Sequence, residues 1–363
     1  MKYISELRVI LGQQMDWHKS RLDCFTQMLL ALFTVRSVNL SEIAVAMQDK
    51  THKESREKRV YRFFRYFELN YECIAKWLYY LMFSEDEKVY IAIDRTNWYW
   101  GKAKINIFML SVCYEGIAIP IFWTLLRKAG VSTGKEQQQL VERFINCFGQ
   151  ARIQSILGDR EFANKGFIGW LTQNQIPFHI RIKESAYVSI KKKKYKKAGQ
   201  LFGNLSPMEH GAFGMRINVF GQGLFLAGSK NECDELMIVV TNQTPKTAIA
   251  IYLRRWEIET LFCSLKSKGW QLENTHITDT KRLEKLVALL AVAFVWAHRI
   301  GEFEAKQKPI PLKKLRRQKR PQNSFFRLGL DSLRDLITSF NKSYRKFKKY
   351  LKCLMPDQMT LGF

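Results

Sequence analysis

The sequence predicts an α/β protein: a mixed sheet with flanking helices, a β-rich insertion, and helical N- and C-terminal regions. Three observations carry this prediction. From residue 88 short β-branched runs follow one another (KVYIAID, NIFMLSVCYEG, IAIPIFWTLLR) and then alternate with helical segments, the pattern of a sheet covered by helices. Residues 186 to 240 break that alternation with glycine-punctuated strands. Both ends place apolar residues at helical spacing among basic ones. With 363 residues, 47% of them hydrophobic, the chain can bury a core and divide into two or three structural units.

Residues 1–84 form the first helical region. TVRSVNLSEIAVAM contains a helix start, with Asn39 as cap and Glu42 three residues on, and THKESREKRVYRFFRYF is a basic, aromatic helix. Two readings stand here: a helix-turn-helix that enters a DNA groove, or an amphipathic bundle whose solvated face is basic. Residues 85–185 hold the three strands above, then the helix KEQQQLVERFINCFG, the strand IQSILG before Asp159, a helix through Trp170 and the strand PFHIRIK. The insertion, 186–240, contains KKKKYKK, MRINVFGQGLFLAG and ELMIVVTN. In 241–305, Thr244 and Pro245 open a helix that includes YLRRWEIETLFCSLKSKG, residues 252 to 269. KRLEKLVALLAVAFVWAHRIGEF then closes the core; its apolar stretch, 286–297, falls short of the roughly 18 residues that span a bilayer. Residues 306–363 are a basic helical tail with 16 Lys or Arg against three acids.

Charge narrows the partners. Lys and Arg number 59 against 33 Asp and Glu, a formal +26, which points to nucleic acid rather than to a membrane. The N-terminus, broken by Glu6 and Asp16, lacks the apolar core of a signal peptide, so a cytoplasmic location is expected. Seven cysteines without a CxxC pair are expected to be reduced and mostly buried, and six dispersed histidines argue against zinc. GVSTGKE, residues 130 to 136, has three residues between its glycines and Glu after Lys. It fails the phosphate-loop pattern, and no nucleotide cofactor is expected.

Acidic residues mark the candidate site. On a continuous α-helix, at about 100° per residue, Tyr252, Arg255, Glu259 and Lys266 share one face within roughly 60°. Such a face places one carboxylate among phosphate-gripping cations; equally, Arg255 and Glu259 form an ordinary i, i+4 pair on a solvated face. Asp94 ends VYIAI and Asp159 ends SILG, so both are expected where a strand gives way to a loop. An acid there often only caps the next element. Two strand-end aspartates with one helix glutamate, however, make the oxygen-only set that Mg²⁺ or Mn²⁺ favours, and two such ions can drive phosphodiester chemistry without His or Cys. Glu161 reads as a helix N-terminal acid rather than a spare carboxylate. Trp98 and Trp100 read as sheet-packing residues rather than base stackers. If the lysine run touches DNA, it does so through phosphates.

The order DRTNW (94–98), GDREF (158–162) and Y-x2-R-x3-E-x6-K (Tyr252, Arg255, Glu259, Lys266) resembles the bacterial insertion-sequence transposases of DDE type, specifically the insertion-sequence-four type with its YREK signature. THITD (275–279), the LLAVAFVWA helix and FFRLGLDSLRDL resemble that family too, and the likeness spans about 90 to 340. It implies an RNase H-like catalytic domain, formed by 85–185 and 241–305, that cuts and pastes DNA. By this resemblance Asp94, Asp159 and Glu259 bind catalytic Mg²⁺ or Mn²⁺, two ions per site. Tyr252, Arg255 and Lys266 contact phosphates near the element's end, and Trp256 helps to hold DNA near the cut. The implied partners are double-stranded DNA, as terminal inverted repeats and target, and a second copy of the chain paired on the ends. Related enzymes that cut through a DNA hairpin carry a tryptophan in the insertion for a flipped base. This chain has no Trp between 171 and 255, a departure that speaks against a hairpin intermediate unless Phe213, Phe220 or Phe225 substitutes as the stacking ring.

Overall fold

A computed structural model describes residues 2–48, 51–191, 194–314, 319–339 and 344–356. Lys192 and Lys193 of the lysine run, and residues 315–318, 340–343 and 357–363 of the basic tail, lie outside the described residues.

The chain begins with five helices, α1 (Lys2–Gln14), α2 (Lys19–Val35), α3 (Leu40–Ala46), α4 (Lys53–Tyr66) and α5 (Tyr71–Met82). Local chemistry explains their limits. Asn39 caps α3 by accepting from Ser41 N, and Arg36 ends α2 in the left-handed region at φ 55°. α4 buries Val60, Phe63 and Phe64 and leaves Tyr61, Arg62, Arg65 and Tyr66 in solvent. Arg62 and Arg65 therefore stand on the solvated side of a packed helix, while Arg59 turns inward to Asp23.

The sheet follows. β1 (Val89–Trp100), β2 (Ala103–Tyr114) and β3 (Ile117–Leu125) form an antiparallel meander; α6 (Gly134–Phe148), β4 (Ile153–Gly158), α7 (Lys165–Gln173) and β5 (Phe178–Ile182) continue in alternation. GVSTGKE opens α6: Thr133 caps it, and Glu136 closes a capping box. β6 (Tyr187–Lys191), β7 (Lys194–Lys197), β8 (His210–Val219), β9 (Gln222–Lys230) and β10 (Leu236–Thr241) complete ten strands in the order β3-β2-β1-β4-β5-β10-β9-β8-β6-β7. In the first five, β1 is parallel to β4 and β4 to β5, the order and directions expected of an RNase H-like core. The insertion extends this sheet, because β10 pairs antiparallel with β5, Ile238 opposite Ile182.

The segment 248–270 is not one helix. α8 (Ala248–Leu253) and α9 (Trp256–Leu265) are separated by a tight turn in which Arg254 N, Arg255 N, Glu257 N and Ile258 N each bond a carbonyl three residues back. After α9 the chain widens into a π-turn, Lys266–Trp270. Gly269 permits that turn, since a Cβ there would strike the Ser264 carbonyl. α10 (Thr280–Gln307), the short hairpin β11 (Leu312–Lys314) with β12 (Lys319–Pro321), α11 (Phe325–Thr338) and α12 (Tyr344–Lys352) complete the chain, so the basic tail also contains a β-hairpin.

Two compact units result: Met1–Glu85 with Trp98–Ala103 and Phe262–Phe363, and Asp86–Asn97 with Lys104–Leu261. In the helical unit α10 is the core. It is long and apolar enough to cross a membrane, yet 83% of that window is buried. Trp296 Nε1 donates to Tyr350 O at 2.8 Å and Lys285 Nζ to Phe64 O at 3.1 Å. α10 and α11 cross with backbones in contact at Gly301 and Gly329. The seven cysteines are free; three are buried, two half-buried, and Cys233 and Cys263 are exposed because they fall on the outward side of a turn and of α9.

Candidate active site

The parallel pairing of β1 with β4 ends at Ile93 opposite Gly158, so the next residue on each strand, Asp94 and Asp159, emerges at the same edge of that pair. β1 does not stop at Asp94, as the end of its apolar run suggested. It continues to Trp100 because β2 remains available as an antiparallel partner; what stops at Asp94 is the parallel ladder. Asp159 follows β4 directly and caps a 3₁₀ turn, accepting from Arg160 N at 2.7 Å.

Arg255 organises the carboxylates. Its Nη1 donates to Asp94 Oδ2 at 3.1 Å and its Nη2 to Glu259 Oε1 at 2.6 Å. The Arg255 side chain is 7% exposed and that of Asp94 18%, whereas Glu259 is 52% exposed. Burial pushes the Asp94 carboxyl up to about 6; Arg255 opposes this, while Glu161 and Asp159 add to it. Burial also raises the Tyr252 phenol to about 12. Tyr252 is 1% exposed, packed with Ala227, Val239, Ala248 and Ile249, and Arg255 lies over its ring at 5.8 Å. The tyrosine thus sits in the core beneath the arginine, not on a surface.

The expected continuous helix is interrupted at Arg254 and Arg255, yet Arg255 still lies over the Tyr252 ring and pairs with Glu259. Lys266 belongs to the helical unit, where its ammonium pairs with Glu273 at 2.6 Å and lies 5.6 Å from the Trp98 ring centroid. Trp256, at the start of α9, is 55% exposed. Trp98 is buried as a packing residue, but Trp100 is 37% exposed and stacks on His276 at 4.3 Å, since it stands at the tip of the β1–β2 hairpin. Phe213 and Phe220 are half-buried, and Phe225 lies under Arg216 at 5.2 Å.

Two residues beside the aspartates have a part that sequence reasoning missed. Arg95 grips Glu161 with a fork, Nε to Oε1 and Nη2 to Oε2, both at 2.6 Å. Arg95 Nη1 also donates to Asn106 Oδ1 at 3.0 Å and Gly130 O at 3.2 Å. Glu161 lies in the first turn of the 3₁₀ helix that Asp159 caps, as expected, and is also half of an ion pair; the signal available was a charged residue placed close after each strand-end aspartate.

The donor set is oxygen-only, which suits a hard divalent cation, and added positive charge would oppose the burial that raises Asp94. Among the described residues no three His, Cys, Asp or Glu side chains gather closely enough to hold an ion, and Arg255 lies between Asp94 and Glu259.

Residues 85–296 match the family model described as the transposase DDE domain. The chain belongs to this family. No curated protein sequence matches it. Among solved structures, the DDE chain is similar to the cryo-EM structure of a piggyBac transposase synaptic complex with hairpin DNA, at 11% identity and a TM-score of 0.42, covering 99% of this chain and 84% of that one. The family match begins just before β1 and ends within α10, so it contains Asp94, Asp159, Arg255 and Glu259.

Proposed function

We propose that this DDE-family chain is a cut-and-paste transposase of the insertion-sequence-four type, and that Tyr252, Arg255, Glu259 and Lys266 are its YREK signature. One observation carries the reading: the β1–β4 register sets Asp94 and Asp159 side by side, within a site where Arg255 already ties Asp94 to Glu259.

In this reading Asp94, Asp159 and Glu259 hold Mg²⁺ or Mn²⁺, two ions per site. When bound, the ions supply an activated water or 3′ hydroxyl and stabilise the leaving oxygen of the phosphodiester. Arg255 serves in two ways. Without DNA its guanidinium neutralises Asp94 and Glu259; with a DNA end present it turns its fork to a phosphate and frees both carboxylates. Tyr252 supports the guanidinium from below, and exposed Trp256 meets DNA near the cut. Lys266 exchanges Glu273 for a phosphate. The +26 charge supports double-stranded DNA as partner, with α4 presenting Arg62 and Arg65 to it, and pairing of two ends calls for a homodimer on DNA.

The test offers DNA carrying the element's terminal repeats with Mg²⁺ or Mn²⁺ and follows both nicking and joined product. Asp94→Ala, Asp159→Ala and Glu259→Ala should each abolish nicking while end binding stays nearly intact. Cleavage at the wild-type rate in any one removes that residue from the set, and nicking without joined product makes the protein a nuclease instead.

A further inference from the structure

Resting on the reading of Asp94 and Asp159 as metal ligands, we infer that Arg95 and Glu161 are a pair of positioning residues that set the separation of the two aspartates. Each stands close after one of them: Arg95 is next to Asp94, and Glu161 is two residues beyond Asp159. The β1–β4 ladder ends at Ile93 and Gly158, so backbone pairing no longer holds the two chains together where the aspartates project. The Arg95–Glu161 fork is the connection that replaces it, two parallel charge-assisted bonds of 2.6 Å. Its members are well shielded, at 10% and 19% side-chain exposure.

The fork is itself anchored. The remaining Arg95 Nη1 bonds to Asn106 and Gly130 O, and Asn106 Nδ2 donates to Gly130 O and Lys128 O, both at 3.1 Å. Asn106 is 1% exposed, a buried amide whose bonds all serve this junction. β1, β2, the loop before α6 and the turn after β4 thus meet on one guanidinium. Backbone contacts extend the same geometry to the acids: Asp94 Oδ1 accepts from Arg95 N at 2.7 Å, so moving Arg95 moves the Asp94 carboxylate.

A rival role for Glu161 is that of a third metal ligand. Both its oxygens, however, are taken by Arg95 at 2.6 Å, and that fork has further anchors, whereas Glu259 is half-exposed and shares only one oxygen. The two roles give opposite signs. A ligand released from its arginine binds metal better, while a positioning pair loses affinity whichever partner is changed.

The experiment measures Mn²⁺ binding to the full chain held on a duplex DNA end, against the same DNA alone, by electron paramagnetic resonance of free Mn²⁺, beside thermal unfolding. Arg95→Gln, Arg95→Lys and Glu161→Gln should each weaken Mn²⁺ binding by about 10-fold or more. The exchanged double variant Arg95→Glu with Glu161→Arg should recover to within about 3-fold of wild type, a rescue that loss of stability alone does not produce. Unchanged Mn²⁺ affinity in the folded single variants, with Asp94→Asn and Asp159→Asn still abolishing binding, overturns the positioning role and spares the aspartates. Tighter binding in Arg95→Gln makes Glu161 a ligand and likewise overturns it. Undiminished binding in Asp94→Asn and Asp159→Asn overturns the underlying assignment together with this one.

Discussion

Arg255 makes two ion pairs of different worth. Its bond to Asp94 joins two buried groups, whereas its shorter bond to Glu259 ends on a half-exposed carboxylate that water screens. Burial therefore outweighs distance. A double-mutant cycle on Asp94 and Arg255 should give a coupling of about 2 kcal/mol, and one on Arg255 and Glu259 less than about 1 kcal/mol, both read from urea unfolding. Equal couplings would place the two carboxylates in the same dielectric. Asp94 also makes stability depend on pH. Its folded pKa, about 6, lies above its unfolded value near 4, so the folded state holds a proton that the unfolded state has lost. Between pH 4 and 6, without divalent cation, stability should fall as pH rises, by on the order of 2 kcal/mol. Asp94→Asn should lack that slope; a variant that keeps it locates the titration elsewhere.

Among the elements, the α10–α11 crossing and the broken α8–α9 segment decide the most. Gly301 and Gly329 let two helices touch through their backbones, and a Cβ on Gly329 would overlap the Ala297 carbonyl. Backbone cannot swing aside as a side chain can, so Gly329→Ala should cost about 3 kcal/mol in urea unfolding. Gly214→Ala, where nothing lies within 4 Å of the added carbon, should stay within about 0.5 kcal/mol. Similar costs at the two positions would mean that the helices separate easily. The broken segment has a different consequence. By bonding three residues back at Arg254 and Arg255, the chain turns Arg255 toward Asp94 while Tyr252 stays in the core and Trp256 faces solvent.

At the scale of the molecule, a surplus of 26 positive charges has to be neutralised by a partner or by salt. If DNA is that partner, affinity should fall steeply with ionic strength, by about three orders of magnitude or more between roughly 50 and 200 mM monovalent salt. A shallow dependence, measured by fluorescence anisotropy on duplex DNA, would leave the charge without a phosphate-binding role. The ten-strand sheet adds that the insertion is not a separate β module: β10 bonds directly to β5, so β6 to β9 extend the sheet that carries Asp94 and their pairing is coupled to it.

Most elements and the three candidate acids were legible in the sequence by itself. Apolar periodicity, Asn39 as a cap, Asp159 at the end of β4 and the order of three acids are local or ordered along the chain, and such features can be read before folding. Tertiary structure alone decided which groups meet. The Arg95–Glu161 fork joins residues 66 apart, and the Arg255–Asp94 pair joins residues 161 apart. Neither leaves a periodic trace, because both depend on which strands pair and where their ladder stops. The same holds for the turn at Arg254: helix propensity there is unexceptional, and the break goes with contacts across the fold, Arg254 with Tyr90 and Arg255 with Asp94, that one strip of sequence does not contain.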